Sequence, residues 1–181
     1  MILFYSEEIT PRIEYITQLI FHQILQVEIT FTTNAAEFQK SEIPKINYSN
    51  QKFADEIFIK AHGLLAQKGI KPVELQPVKF NTETYFFESS YDSVFPFDPF
   101  AASFYLVTRY EEYFEAEIDK YGRFQSSNSI LSKFNLLKKP VVNIWADLLA
   151  KEINRKYPQI VFIQRRFKFI STIDVDNAWA Y

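Results

Sequence analysis

The sequence contains no cysteine, which excludes disulfide bonds and thiol chemistry. Glycine is scarce as well, since the 181 residues include only Gly63, Gly69 and Gly122. These three form neither a G-x-G pattern nor a Walker motif, the patterns with which nucleotide-binding loops bring backbone amides against phosphates. Glycine-rich phosphate sites are therefore excluded.

Long apolar runs are also missing. No run approaches the roughly 18 residues that a membrane-spanning helix needs, and Met1 to Tyr5 lacks the basic region and long apolar stretch of a signal peptide. The net charge of −2 gives no indication of nucleic-acid binding. These absences predict a cytoplasmic protein with neither a membrane nor a nucleic acid as partner.

Aromatic side chains, by contrast, are abundant: the chain has 19 phenylalanines and 11 tyrosines. Its hydrophobic content of 48% and charged content of 23% are ordinary for a globular protein. A chain of this length is long enough to bury one sizeable core and short for two. We therefore expect a single domain over most of the sequence.

Charge is distributed unevenly along the chain. Between Glu83 and Asp119 acidic residues outnumber basic ones nine to one, and between Lys133 and Lys168 basic residues outnumber acidic ones nine to two. Two interpretations stay open. The two stretches are either solvated surfaces that partly neutralise each other, or the second is a basic docking face for an anionic glycan or a partner protein.

The amino-terminal part has the pattern strand, helix, strand. Ile2 to Tyr5 predicts a strand, and Thr10-Pro11 predicts a helix start, with a capping hydroxyl followed by proline. Apolar residues then recur at helical spacing, and Val27 to Thr33 alternates like a half-buried strand. The pattern predicts an α/β fold, a mixed sheet with a parallel βαβ start and helices packed on it.

Further along, Lys45 to Tyr48 and Ile57 to Leu65 are strand-like, and their separation by a short turn suggests a hairpin. Asp98-Pro99 repeats the cap-then-proline signature, and the stripe behind it predicts a helix to about Glu115. A third helix is predicted to begin at Pro140 and to end before Pro158. Ile160 to Ile163 and Phe167 to Ile173 are predicted to be strands.

The stretch Phe167 to Ile173 is followed by two carboxylates, Asp174 and Asp176. Carboxyl ends of strands are where α/β proteins place their chemistry. Residues two apart on a strand point to the same side, and the repulsion between such carboxylates is relieved by a cation or by hydrogen-bond donors. The alternative is an aspartate-rich strand end that begins a turn.

Two stretches resemble a known family. Thr172-Ile-Asp-Val-Asp176 resembles the first motif of the metal-dependent polysaccharide deacetylases, the NodB-like carbohydrate esterases. Phe97-Asp-Pro-Phe-Ala-Ala-Ser-Phe-Tyr-Leu-Val-Thr-Arg-Tyr-Glu-Glu-Tyr113, Tyr121-Gly-Arg-Phe124 and Lys139-Pro-Val-Val-Asn-Ile-Trp145 look like the domain that precedes the deacetylase barrel in a group of bacterial proteins.

The resemblance implies roles for the two aspartates. Asp174 would be the general base, and Asp176 would bind a divalent metal, zinc or similar, together with two histidines of a later His-x-x-x-His motif. The metal would polarise the acetamide carbonyl and lower the pKa of a bound water, and the reaction would release acetate from an acetylated amino sugar.

The sequence departs from the family where the metal ligands are concerned. Its two histidines, His22 and His62, lie forty positions apart, so no His-x-x-x-His exists. We therefore expect residues 1–165 to form an α/β accessory domain and residues 166–181 to be the first strand and motif of a truncated deacetylase barrel. The chain alone is expected to bind no metal and to be catalytically incomplete, with its barrel and its carbohydrate substrate as partners in the full-length protein.

A different class of function stays open, namely a stand-alone, non-enzymatic module that binds a glycan or a protein. Its basis is the segregated charge and an aromatic cluster that could stack on sugar rings, although core packing is the commoner role of such clusters. The cluster consists of Tyr85, Phe86, Phe87, Tyr91, Phe95 and Phe97.

The same choice between a functional and a structural role applies to several charged residues. His22 and His62 are predicted to be boundary or core histidines rather than ligands. Arg109 with Glu111 and Glu112 either forms an ion pair near a site or carries solvated helix charges. Without barrel neighbours, the strand at 167–173 is predicted to join the domain's own sheet or to pair between chains in a strand-mediated dimer.

Overall fold

The centre of the structure, a computed structural model that describes residues 1–80, 83–114, 117–163 and 167–174, is a four-stranded sheet. All of its pairings are parallel, and the strand order is β2-β1-β3-β4. The strands are β1 (Ile2–Tyr5), β2 (Ile29–Thr32), β3 (Lys45–Ser49) and β4 (Ile57–Lys60). The α/β class and the parallel βαβ start are thus confirmed.

The first crossover begins at the cap that the sequence predicts. Helix α1 (Pro11–Thr17) has proline in its first turn, and the side chain of Thr10 accepts a hydrogen bond from the backbone of Ile13. The helix continues as a π-helical stretch, Gln18–Leu25, which ends where Gln26 adopts a left-handed conformation, φ 54°. This crossover returns the chain to β2 beside β1.

The remaining elements lie around this sheet. The helices are α2 (Ala35–Lys40), α3 (Pro99–Val107), α4 (Ile130–Lys133) and α5 (Val141–Lys156), with 3₁₀ turns at Tyr110–Tyr113 and Ser126–Asn128. Strands β5 (Val78–Phe80) and β6 (Glu83–Tyr85) pair antiparallel as a separate small sheet. None of the helices in the described part of the chain is long and apolar enough to cross a membrane.

The two faces of the parallel sheet differ in what covers them. One face, with Ile2, Phe4 and Tyr48, belongs to the main core, where Phe100 of α3 packs edge-on against Phe4 at 5.5 Å between ring centres. The other face forms a smaller cluster in which Tyr5 packs against Phe38 of α2. Burial on both faces explains why β1 is apolar at every position.

The predicted hairpin between β3 and β4 is wrong, because these strands pair in parallel. Their connection, residues 50–56, folds back along the sheet and is held there by Glu56. The Glu56 carboxylate accepts hydrogen bonds from Asn47 Nδ2 at 2.9 Å and from the backbone N–H groups of Phe53 and Ala54, both at 2.7 Å. Since both strands are short, a connection without a helix can return the chain to the same end of the sheet.

The second predicted helix is shorter than expected. It ends at Val107 instead of about Glu115, and the Thr108 hydroxyl donates to the carbonyl of Phe104 at 2.7 Å in its last turn. Arg109 then takes a left-handed conformation, φ 51°, and starts the 3₁₀ turn. An apolar stripe that continues through a break of this kind predicts a longer helix than the backbone forms.

The two final strands are also not observed. Residues 161–163 and 167–174, called here the carboxyl-terminal segment, contain no strand and pair with no described strand. Ile160 is buried and its carbonyl accepts a hydrogen bond from Asn154 Nδ2 at 2.9 Å, which closes the domain after α5. The prediction that the segment joins the domain's own sheet is therefore wrong, while pairing between chains stays a prediction.

Candidate functional site

The predicted catalytic residue Asp174 is exposed and lies in the carboxyl-terminal segment, at the end of the described residues. Asp176, the predicted metal ligand, lies outside the described residues. The apolar residues before the pair face water: Phe167 is 92% exposed, Phe169 82% and Ile173 86%. The strand that was predicted to present the two carboxylates is thus not formed in the described residues.

Both histidines are exposed. The predicted core position is therefore wrong, and the alternative, a position at the boundary of the core, stays a prediction. His22 lies on the outer side of the π-helical stretch. His62 follows β4 at the carboxyl edge of the sheet. Its ring and the Phe87 ring pack in a T-shaped arrangement with centres 4.8 Å apart. Within the described residues no group of three or more histidine, cysteine or acidic side chains is placed to hold a metal ion. These residues alone do not fit a metal site.

Most of the aromatic cluster is core. Five of its six members are at most 3% exposed, and Tyr91 alone of the six is fully exposed. Tyr85 stacks on Phe97 with ring centres 4.2 Å apart, and Phe86 packs edge-on against Trp145 of α5 at 5.4 Å. Buried rings offer no face to a sugar, so the structure favours the core-packing interpretation for these five.

The Asp98 side chain lies at the carboxyl edge of the sheet and has no exposed surface. Its Oδ1 accepts hydrogen bonds from the backbone of Phe100 and Ala101 in the first turn of α3. Its Oδ2 accepts from the Tyr48 hydroxyl at 2.7 Å and from the backbone N–H of His62 at 2.9 Å. One carboxylate thereby joins the start of α3 to the ends of β3 and β4.

Burial dominates the electrostatics of this junction. It raises the pKa of Asp98, against the opposing effect of the donors around the carboxylate, because a charge is costly where water is excluded. Burial, followed by the negative charge of Asp98, raises the pKa of Tyr48 well above its ordinary value. Both groups are enclosed by protein, which suits a structural junction rather than an open site.

A cleft with a volume of about 390 Å³ lies beside the carboxyl end of α3. Half-buried apolar side chains form much of its wall, among them Val73, Phe114, Phe124 and Phe134. Its polar lining includes Tyr105 of α3 and Glu111 of the 3₁₀ turn. Apolar and polar groups line this concave space in similar measure, and its volume lies within the range of small-molecule sites.

Contacts from distant parts of the chain hold Glu111 and one cleft wall in place. The Glu111 carboxylate accepts hydrogen bonds from Ser129 Oγ at 2.7 Å and from the backbone N–H of Ile130 at 2.8 Å, at the start of α4. The Tyr110 hydroxyl accepts from the backbone of Lys71 at 3.0 Å, which fixes the loop that carries Val73. These contacts fix the position of Glu111 and of the loop that carries Val73.

From the sequence, Arg109, Glu111 and Glu112 form one group, predicted to be either an ion pair near a site or solvated helix charges. In the structure Arg109 pairs with Glu112 in solvent, whereas Glu111 turns inward to cap α4. Capping by a residue eighteen positions away leaves no local pattern, so the cleft could not be recognised from spacing alone. In the sequence, the cleft is indicated only by Glu111 lying among aromatic residues, from Phe104 to Phe114.

Together these features define a small α/β domain with a short parallel sheet and an aromatic cleft at the end of α3. Residues 2–158 match the model of a family of unknown function (DUF7033), and the chain belongs to this family. No curated protein and no solved structure matches the chain. The matched region ends just after α5, so the carboxyl-terminal segment and Asp174 lie beyond it.

Proposed function

We propose that this chain is the amino-terminal accessory domain of a metal-dependent polysaccharide deacetylase-like protein and is catalytically incomplete on its own. The observation that carries the proposal is the carboxyl-terminal segment. It lies beyond the family-matched domain, exposes large apolar side chains at Phe167, Phe169 and Ile173, and leads directly into Asp174.

Exposed apolar runs of this kind mark surfaces that a partner covers. A following barrel would cover them by pairing residues 167–173 as its first strand. In that protein Asp174 would remove a proton from the attacking water, and Asp176 would be a metal ligand beside histidines that these 181 residues do not provide. Its substrate would be an acetylated amino-sugar polymer, and a cytoplasmic location remains part of the proposal.

The first test is an assay of this chain on acetylated chito-oligosaccharides with added zinc or cobalt. We expect no turnover, because tight zinc sites use three or four protein ligands and the described residues assemble none. Robust release of acetate by the chain alone would refute catalytic incompleteness.

The second test uses the longer protein with its barrel and separates the two aspartates. Asp174→Asn should abolish turnover while the bound metal, measured by elemental analysis, is retained. Asp176→Asn should lose metal as well as turnover. Equal metal content and turnover in both variants and the wild type would overturn the assigned roles.

A second candidate, a non-enzymatic binding module, is favoured by one observation, the preformed cleft beside Glu111. It would stand if no barrel followed the domain. A continuation of the reading frame into a segment with His-x-x-x-His would exclude the stand-alone form of this candidate.

A further inference from the structure

The cleft beside α3 contains a polar group for which the described residues provide no hydrogen-bond partner. Tyr105 is 6% exposed and lines the cleft, yet its hydroxyl makes no hydrogen bond to another described residue. Among the described side chains, Ser103 Oγ is the fully enclosed polar atom that lacks a partner. Because Tyr105 lines the cleft, a ligand or water bound there can reach its hydroxyl.

The protonation state of this hydroxyl follows from its surroundings. Burial, and then the negative charge of Glu111, raise the pKa of Tyr105 to about 12. The phenol therefore stays protonated at neutral pH. Glu111 and Tyr105 line the same cleft.

The fixed charge in that space is negative. Two hydrogen bonds hold the Glu111 carboxylate in place, and its oxygens retain further acceptor capacity. Phe114, Phe124 and Phe134 line the same cleft, and the faces of aromatic rings attract cations. Lys133 is the basic side chain in the lining, but it is exposed, so water screens its charge more than that of Glu111.

We propose that the cleft binds a small organic cation, an ammonium group on a compact apolar or hydroxylated body, with Glu111 as its counter-ion and the phenylalanine rings around it. The Tyr105 hydroxyl would contact a polar group on the ligand body. The lining residues lie within the family-matched region. The ligand is therefore independent of whether a deacetylase barrel follows the domain.

A second cavity of about 240 Å³ shares Glu111 and Phe124 with the first. Glu111 and Phe124 therefore line both spaces.

The test compares choline with its uncharged isostere 3,3-dimethylbutan-1-ol, which has the same shape without the charge. Binding is followed by chemical shifts in the ¹⁵N-labelled chain. We expect saturable shifts around the cleft with choline and about tenfold weaker binding of the neutral isostere, since a cation near aromatic faces and a carboxylate gains about that factor. Equal binding of the two probes, or no binding of choline to the folded chain, would overturn the proposal.

Variants locate the site. Glu111→Gln should weaken choline binding about tenfold, whereas the adjacent Glu112→Gln, which removes the same charge from the solvent-exposed pair with Arg109, should leave it unchanged. Phe124→Leu is the second variant, used if Glu111→Gln disturbs α4, and it should weaken the binding of choline but not that of the isostere. Lys133→Ala should strengthen choline binding slightly, because it removes a like charge. A response to Glu112→Gln equal to that of Glu111→Gln would reject the cleft as the site.

Discussion

The domain body, residues 1–160, and the carboxyl-terminal segment are both rich in phenylalanine and isoleucine, yet they bury these side chains to opposite degrees. Phe4 and Phe100 have no exposed surface, whereas Phe167 and Phe169 are 92% and 82% exposed. Full burial of one such side chain contributes roughly 1.5–3 kcal/mol. From residue 167 onward the segment therefore has the apolar residues of a core strand but lacks the surface that would make burial favourable, whereas Phe162 still packs on the core.

The difference shows that apolar pattern and pairing partner are separate requirements for a strand. In the body, β1 lies between two parallel neighbours and beneath helices on both faces. The segment follows a domain that is already closed at Ile160. The contrast between body and segment can be tested from either side, by weakening the junctions of the body or by changing the segment.

The largest effect is expected from Asp98→Ala. The substitution removes the acceptor of four hydrogen bonds. It leaves the Tyr48 hydroxyl and two backbone N–H groups of α3 unpaired in the core, and the half-buried N–H of His62 unpaired at its edge. We expect a loss of about 3–5 kcal/mol in the free energy of unfolding, measured by urea denaturation.

Tyr48→Phe is a milder substitution at the same junction. It removes one hydrogen-bond donor and should lower the free energy of unfolding by about 1–2 kcal/mol. It remains measurable if Asp98→Ala does not fold. A loss below about 1 kcal/mol for Asp98→Ala would show that α3 is held to the sheet by packing alone.

The features that the sequence predicted correctly are those set by neighbouring residues. Thr10-Pro11 and Asp98-Pro99 begin helices because cap and proline act within one turn. The alternating residues after Val27 place β2 correctly at Ile29–Thr32, although burial does not alternate there, because Thr32 is buried and the other three residues are half-buried. These patterns also establish the α/β class, since strand, helix and strand at short spacing form a parallel unit.

The features that the sequence did not predict correctly depend on residues far apart in the chain or on a single backbone dihedral angle. The direction of β4 depends on how Glu56 holds the loop before it, and the end of α3 depends on Arg109 in a left-handed conformation. The cleft depends on Glu111 reaching Ser129. None of these has a periodic signature, so spacing alone could not reveal them.

An intermediate effect, dependent on pH, is expected at Glu56. Burial alone would raise the pKa of Glu56, but hydrogen bonds from Asn47, Phe53 and Ala54 outweigh it and hold the pKa below its ordinary value of 4.5. The resulting stabilisation is complete above pH 4.5 and is lost as the pH falls through the lower folded-state value, because the unfolded chain takes up its proton first.

Glu56→Gln should therefore cost stability at neutral pH and flatten the loss of stability on acidification, as measured by urea denaturation from pH 7 downward. The exposed Glu42 provides a control, since Glu42→Gln should leave the pH profile unchanged. An equally steep acid profile in Glu56→Gln would assign the pH dependence to other carboxylates.

A smaller effect concerns the two oppositely charged stretches of the sequence. Lys139 meets Glu83 at 2.6 Å, and each side chain is more than 40% exposed. A double-mutant cycle with Lys139→Ala and Glu83→Ala should give a coupling of about 0.2–1 kcal/mol that weakens in high salt. No coupling at low salt would contradict the view that the stretches neutralise each other here and would favour a free basic face.

The smallest effect on stability, and the sharpest contrast with Asp98, is expected from ending the chain after Ile163. The residues beyond it that the structure describes are exposed and contact no part of the core, so the free energy of unfolding should change by less than about 0.5 kcal/mol.

Association should change far more, because an unpaired apolar segment invites pairing between chains. In sedimentation experiments we expect concentration-dependent association of the whole chain and a monomer after truncation, with Phe167→Ser combined with Phe169→Ser resembling the truncated form. A marked loss of stability on truncation would mean that the segment packs on the body. Monomeric behaviour of the whole chain would reject pairing between chains.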